Sequence, residues 1–465
     1  MNNKQAYPWR FVTPLYLGST LNPINSSVIA TALVPIAIAL HLAIAKTVVL
    51  VSVLYLASCI AQPTAGKLAE EFGPRRVFIA GILTVITGAL IGGLGNDLPA
   101  LIVARLLIGL GTSAGYPTAM LMIRRRAQEA GLKEPPGNVL GGLQIAGTVT
   151  AALGLPIGGV LVGAWGWRTT FFVSLPLALT ALYTAVRWLP RDARTEAPRT
   201  IKDIAQRIDL LGIALFAATI ASLLLFLFTI PAPRWWALVI AILLAVVLVM
   251  WELRTCRPFF DVRLLARNRA LSRTYIRFAL VTLCIYTVLY GLTQWLQASR
   301  HTPSREAGLL ILPMSVLSAF LVHYLSKRNL VRGPLIMAAA SSLLASAGVF
   351  LLSSGTPLLW IVVITLVFGV TMGTSASANQ TALYKQVDGA QMGTAAGLLR
   401  TFAYIGSIAS SALIKIAFHA GVGDHGLHTI ALFMMAVSLL ALILTLADKQ
   451  LRSRSIDNST FTHKI

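Results

Sequence analysis

The chain is 465 residues long, with 56% hydrophobic and only 12% charged residues and a mean hydropathy of +0.77. Soluble domains carry about a quarter charged residues, so a soluble globular fold is excluded. The net charge of +22 would point to nucleic acid in a soluble protein. Here the basic residues collect in alternate loops between apolar blocks, and no nucleic-acid partner is expected.

Apolar blocks of about 20 residues predict roughly fourteen membrane spans. They cover 11–36, 46–65, 77–96, 99–123, 138–162, 168–189, 208–230, 235–253, 272–297, 305–325, 333–353, 357–381, 391–417 and 428–448. These blocks are too long for barrel strands, whose lipid-facing and lumen-facing residues alternate. The N-terminal MNNKQAYPWR shows no cleavable-signal pattern, so the first span is expected to be retained.

Lys67, Arg75 and Arg76 begin one basic set of loops, followed by Arg124, Arg125, Arg126 and Lys133, then Arg191, Arg194, Arg199, Lys202 and Arg207. Arg254, Arg257, Arg263, Arg267, Arg269 and Arg273 follow, then Lys327, Arg328, Arg332, Lys385 and the tail with Lys449, Arg452 and Arg454. The opposite side holds Lys46, Arg168, Arg234, Arg300 and Arg305. This bias predicts that the chain is a multi-pass membrane protein with both termini cytoplasmic. Cys59, Cys256 and Cys284 are odd in number and lack a framework spacing, which argues against structural disulfides.

Charged connectors at 190–207 and 252–273 divide the chain. The expected organisation is a six-helix bundle over 1–189 and connectors with two inserted helices over 190–271. A second six-helix bundle covers 272–448 and a cytoplasmic tail 449–465. Two inserted helices joined by the tight Pro231-Ala232-Pro233 turn leave two six-helix halves, a parallel-repeat plan whose binding site is expected between the halves near the midplane. Small-xxx-small pairs at Gly88/Gly92, Gly111/Gly115, Gly154/Gly158, Gly369/Gly373 and Gly393/Gly397 predict close helix packing.

The second span ends in GKLAEEFGPRR, Gly66–Arg76. This resembles the loop signature of the major facilitator superfamily, with Gly66, Leu68, Ala69, Gly73 and Arg75 matching and Glu70 in place of Asp. A tight glycine turn with Glu70 near a helix end and arginines able to pair with it is the physical expectation. Arg105-Leu-Leu-Ile-Gly109 resembles that superfamily's fourth-helix R-x-x-q-G motif, and Gly154-Leu-Pro156-Ile-Gly158-Gly159 its antiporter motif with the proline shifted one place. Trp167-Arg168 with Phe171 and Pro176, Asp209-Leu-Leu-Gly212, Pro258-Phe-Phe-Asp261 and Ala307-Gly308 to Pro313 resemble the fourteen-helix drug:proton antiporter branch. The resemblance runs from about residue 15 to 450. It implies an all-α polytopic membrane protein of the major facilitator fold. Asn22 stands where that branch carries an aspartate in helix 1, and Arg400 stands where span 13 often carries Asn. The second-half copy of the loop motif is eroded to His323–Arg328.

The chain has no G-x-x-x-x-G-K-[ST] motif, no His/Cys cluster with metal spacing and no nucleophile constellation. No enzyme activity, metal or cofactor is expected. Arg105 is an ionisable residue inside a span and therefore a functional-site hypothesis. Its alternative role is to tie loose carbonyls of spans 1 and 5. The family plan implies that Asn22, Asn25, Tyr116, Tyr286, Tyr290, Gln294, Asn379 and Gln380 bind substrate together with Arg105. An Asn or Gln in a membrane more often bonds another helix, and Tyr290 and Trp295 alternatively belong to an interfacial aromatic belt. Gly66, Glu70, Gly73, Arg75, Gly109, Gly154, Pro156, Gly158 and Gly159 are the conformational candidates. Arg105, Arg400 and Glu70 are the coupling candidates, with Arg400 alternatively snorkelling from a cytoplasmic helix end.

No acidic residue lies in the middle of a span, so a positive or neutral cavity is expected. The resulting reading is a monomeric secondary exporter of small amphipathic molecules, working by rocker-switch alternating access with proton antiport. The alternatives are an uptake carrier, uniporter or anion exchanger on the same fold, or a membrane sensor with a degenerate transporter fold.

Overall fold

The computed structural model of the protein describes residues 6–42, 44–47, 49–132, 134–192, 201–230, 232–259, 261–302, 304–419 and 421–448. Lys133, Arg194, Arg199, Pro231 and the 449–465 tail lie outside them, as do the side chains of Pro156, Lys202 and Arg305. Among the described residues every regular element is a helix.

The first span is broken. Helix α1 (Trp9–Val28) runs through a 3-10 turn at Ile29–Thr31 into α2 (Leu33–Ala39), and the two parts are bent by 56°. Pro35 has no N–H and its ring excludes the carbonyl four residues earlier, which breaks the ladder there. The hydroxyls of Ser26 and Ser27 both donate to the Pro23 carbonyl, at 2.9 and 2.7 Å, a back-bonding pattern that bends helices. Helices α3 (Val49–Phe72) and α4 (Pro74–Leu94) meet at Gly73, whose φ of +102° is a conformation that side chains with a Cβ avoid. Pro74 occupies the first turn, where its missing N–H costs nothing.

Helix α5 (Leu98–Thr112) is capped by Asp97, whose carboxylate accepts from Ala100 N at 2.8 Å. It continues into α6 (Gly115–Glu129), and the two form one membrane-length segment. Helix α7 (Gly137–Trp165) is 29 residues long, and α8 (Ser174–Trp188) follows. The inserted pair is α9 (Leu210–Phe228) and α10 (Trp235–Glu252). Helix α11 (Arg269–Thr287) passes through a π-helical turn, Val288–Leu292, into α12 (Thr293–Ser299). The last helices are α13 (Ser304–Ser326), α14 (Arg332–Phe350), α15 (Leu358–Gln386), α16 (Met392–Ala417) and α17 (Asp424–Leu446).

Among the described residues, 12 helices are long and apolar enough to cross a membrane, or 13 if the bent first pair counts as one span. The sequence expectation was roughly fourteen. Every expected block is helical, and α7, the fifth of them, is outside that tally of 12.

The chain divides into two compact units. The first comprises Met1–Ser222, Ile240–Val262 and Val387–Thr401, and the second Leu223–Val239, Arg263–Gln386 and Phe402–Ile465. Helix α16 is therefore split, its first turns belonging to the first unit. Ile29, Ile36, Leu50, Leu54, Leu101, Ile108, Trp167 and Phe171 form the core of the first unit. In the second, Val288, Leu292, Trp295, Met314, Phe368, Ile430 and Met434 pack together. Trp295 is fully buried and donates its indole N–H to Asp424 at 2.8 Å, so it is a core residue rather than part of an aromatic belt. Arg273 and Arg277 both donate to Asp448, at 2.9 and 3.1 Å, fastening the start of α11 to the chain just beyond α17.

Each inserted helix has only 22% of its apolar window buried, which leaves most of its surface to lipid. Asp209 anchors them in the first unit. Its carboxylate accepts from Gly212 N at 3.0 Å, Trp251 Nε1 at 2.8 Å and Phe259 N at 3.1 Å. The D-x-x-G and P-F-F-D sequences thus meet at one buried acid.

Candidate functional site

Arg105 sits in the first unit, where small residues bring helices close. One turn later, Gly109 faces α3: a Cβ there would lie 3.0 Å from Leu54 O and 2.7 Å from Ala57 Cβ. This proximity lets Arg105 cross to backbone. Its Nε donates to Leu50 O and its Nη1 to Asn25 O, both at 3.0 Å. The side chain is 1% exposed, and among the described residues Nη2 has no hydrogen-bond partner. The carbonyl-tying role is therefore real, but the carbonyls come from spans 1 and 2, not spans 1 and 5. Asn25 lies in the last turn of α1, where carbonyls lose their helical partners.

The two asparagines hold helices together. Asn22 Nδ2 donates to Ser58 Oγ at 3.1 Å and Thr112 Oγ1 at 2.9 Å, joining α1 to α3 and α5. Asn25 Nδ2 donates to Leu21 O at 2.7 Å, and its Oδ1 accepts from Ser174 Oγ at 2.8 Å. An amide at position 22 donates to both hydroxyls, which an ionised carboxylate does not do.

Arg400 does not snorkel outward. Its guanidinium carbon lies 4.0 Å from the ring centroid of Tyr116, and Nη2 donates to Gln144 Oε1 at 2.9 Å. The second unit holds the remaining candidates. The rings of Tyr286 and Tyr290 are 5.6 Å apart, beside and within the π-helical turn, a feature that often marks functional positions. Gln294 is exposed, and Gln380 is buried. Asn379 is buried, with Nδ2 donating to Ser375 O and Oγ at 2.8 and 3.1 Å, and among the described residues Oδ1 has no partner.

The loop residues form a second constellation in the first unit. Glu70 accepts from Thr394 N at 2.7 Å and from Thr394 Oγ1 at 2.9 Å, placing a carboxylate on the first turn of α16 where the helix dipole favours it. The expected pairing of this acid with the loop arginines is not found. Arg75 instead donates Nη2 to Val186 O at 2.9 Å. The backbone N–H groups of Arg75 and Arg76 donate to Asp192, at 3.2 and 2.9 Å, which caps α4. Gly154 and Gly158 face α1: a Cβ on Gly158 would lie 2.7 Å from Thr31 Oγ1 and 3.1 Å from Val28 O, and Gly154 meets Ser27. Gly159 faces open space.

Asp192 and Thr394 escaped sequence reasoning. Asp192 follows a helix end by more than a turn and caps a helix over a hundred residues away, a pairing that no local pattern announces. Replacing it with alanine should cost about 1 kcal/mol, the usual worth of an N-terminal cap. A lowered thermal melting point in detergent would check this, with Asp192→Asn expected to retain part of the cap.

Membrane-length helices, an arginine sealed within them and a glycine-turn joint between helices together define a polytopic membrane transporter. The chain belongs to the Major Facilitator Superfamily, whose profile matches residues 15–411. It is similar to the uncharacterized MFS-type transporter YwoD of Bacillus subtilis, 33% identical over 417 residues, which span 88% of this chain and 90% of YwoD. It is also similar to the tetracenomycin C resistance and export protein of Streptomyces glaucescens, 28% identical over 439 residues, or 90% of this chain and 77% of that protein. Among solved structures, the human organic anion transporter MFSD10 shares the fold, with a TM-score of 0.66 and 15% identity over 94% of this chain and 99% of its own. The protein is thus a multi-pass transporter of small molecules and not an enzyme.

Proposed function

We propose that the protein is a secondary exporter of small amphipathic molecules, belonging to the fourteen-span drug:proton antiporter branch. The observation that carries this reading is the seating of Gly154 and Gly158 against α1, the packing role expected of the antiporter motif. The relative named for tetracenomycin C resistance and export supports it. The 12 membrane-length helices, or 13 with the bent first pair, and the 29-residue α7 are compatible with a fourteen-span plan. The basic-loop bias supports a bacterial cytoplasmic membrane with both termini inside, and the working form is a monomer.

Arg105, Asn22 and Asn25 form the rigid frame of the first unit. Tyr116 and Arg400 are the groups of the first unit offered to substrate; within the second unit, taken by itself, Tyr286, Tyr290 and Asn379 are the candidates. Glu70 on Thr394 is the joint whose release accompanies rocker-switch alternating access. Proton antiport is the proposed driving force, with Glu70 as the carboxylate that exchanges the proton, because the helix-1 acid of the branch is replaced by Asn22.

Flux in proteoliposomes under an imposed pH gradient at zero potential tests the scheme. Tetracenomycin C, for which the Streptomyces glaucescens relative is named, should be driven against its own gradient, and Glu70→Gln should abolish the drive. The second reading, a uniporter or anion exchanger, is favoured by Asn22 itself. It requires flux that ignores the pH gradient, and that outcome would displace antiport.

A further inference from the structure

Arg105, Arg277 and Arg400 differ in what answers their charge. Arg105 is sealed against backbone carbonyls, and Arg277 is paired with Asp448. Arg400 is partly exposed, and among the described residues no carboxylate pairs with it. It lies 8 residues beyond Met392, the first residue of α16, or about 12 Å along the helix at 1.5 Å per residue. An unanswered charge at that depth is expensive to maintain.

The two contacts it makes orient it without neutralising it. Gln144 is an uncharged acceptor, 2.9 Å from Nη2, and the Tyr116 ring lies under the guanidinium carbon at 4.0 Å. Gln144 and Tyr116 are themselves buried, at 8% and 7% exposure, so the plane of the guanidinium is held by fixed groups. The Tyr116 hydroxyl also accepts from the guanidinium, and among the described residues no carboxylate takes the N–H groups that remain. A planar guanidinium with free, oriented N–H groups matches a carboxylate, which can accept two parallel bonds.

The geometry points to an anion subsite here. Arg400, aimed by Gln144 and backed by Tyr116, receives the carboxylate of an amphipathic substrate, while cationic solutes are repelled. This deepens the transport reading above and rests on it for the word substrate. Nature's choice of glutamine at 144 is essential to it: glutamate there has the same shape, would form an internal ion pair and would fill the subsite from within.

Equilibrium binding of radiolabelled benzoate to the purified full-length protein tests this, with benzamide and benzylamine as uncharged and cationic counterparts. The wild type should bind benzoate saturably and not benzylamine. Arg400→Gln should weaken benzoate by at least about tenfold, the loss of one charge-assisted contact. Gln144→Glu should weaken it similarly while retaining the arginine, so a folding failure of the first variant does not decide the matter. Benzamide binding should be the same in all three. Absence of saturable benzoate binding by the wild type overturns the subsite, as does benzoate affinity within about twofold of wild type in both variants. Parallel flux measurements separate the two readings. Solutes that move independently of Arg400 leave transport standing without the subsite. Benzoate binding that follows Arg400 with no flux of any solute leaves the subsite standing without export.

Discussion

Arg105→Ala should lower the thermal stability of the detergent-solubilised protein by about 3–6 kcal/mol and abolish transport. The stability loss has two sources. Leu50 O and Asn25 O each lose a charged donor at 3.0 Å, and hydrogen bonds to charged groups are worth about 1.5–3 kcal/mol. Removing a long side chain from a packed interior also leaves a void. Arg105→Met should be markedly less destabilising. It fills most of the volume and removes Nη2, which is buried without a partner in the native protein. Replacing a buried charge by an apolar side chain of similar size is often close to neutral. Arg105→Lys should fall between them, since one ammonium cannot bridge two carbonyls on separate helices as the forked guanidinium does. The informative comparison is activity. If Arg105→Met folds well but does not transport, the link between α1 and α3 is required for the cycle. Wild-type flux in that variant would reduce Arg105 to a packing element.

The helical blocks, the glycine contacts and the special place of Arg105 were legible because each is written locally, in hydropathy, small-residue spacing or a lone charge in an apolar run. The break in the first span follows from Pro35 in the same way. The partners were not legible. Glu70 has arginines five and six residues away and nevertheless answers the N–H of Thr394, more than three hundred residues later. The Thr394 N–H lies in the first turn of a helix, where it has no intrahelical acceptor, and the field at a helix N-terminus holds the carboxylate there. The arginines, left to themselves, take a carbonyl at Val186, while their own backbone N–H groups take Asp192. Asn22 and Asn25 read equally well as ligands for substrate or for helices. Only the hydroxyls of Ser58, Thr112 and Ser174 decide between them, and those lie on other spans. Arg400 was the reverse case: an apparent helix-end cation proved to be held inward by Tyr116 and Gln144.

Gly66→Val should abolish transport and cost at least about 1–3 kcal/mol, the range typical of overpacking, because the obstacle is backbone that cannot swing aside. A Cβ at position 66 would run into the carbonyl group of Gly393 and come within 2.5 Å of Thr394 N. Neither is the movable end of a side chain, so α3 and the start of α16 must separate. That separation also pulls Glu70 from Thr394, since the acid stands one turn beyond the glycine on the same helix. Gly66→Ala should therefore already show most of the defect, whereas at a merely crowded site alanine would be tolerated. Gly163→Ala on α7, where nothing lies within 4 Å of the added Cβ, provides the contrast. It should leave the melting point unchanged or slightly raised, as expected for alanine in a helix interior. Disulfide trapping distinguishes a lost joint from general unfolding: with Cys59, Cys256 and Cys284 replaced, a cysteine pair at Glu70 and Thr394 should cross-link readily in the Gly66 background and poorly beside Gly66→Val. Equal cross-linking in both would mean that the glycine is not what brings the two helices together.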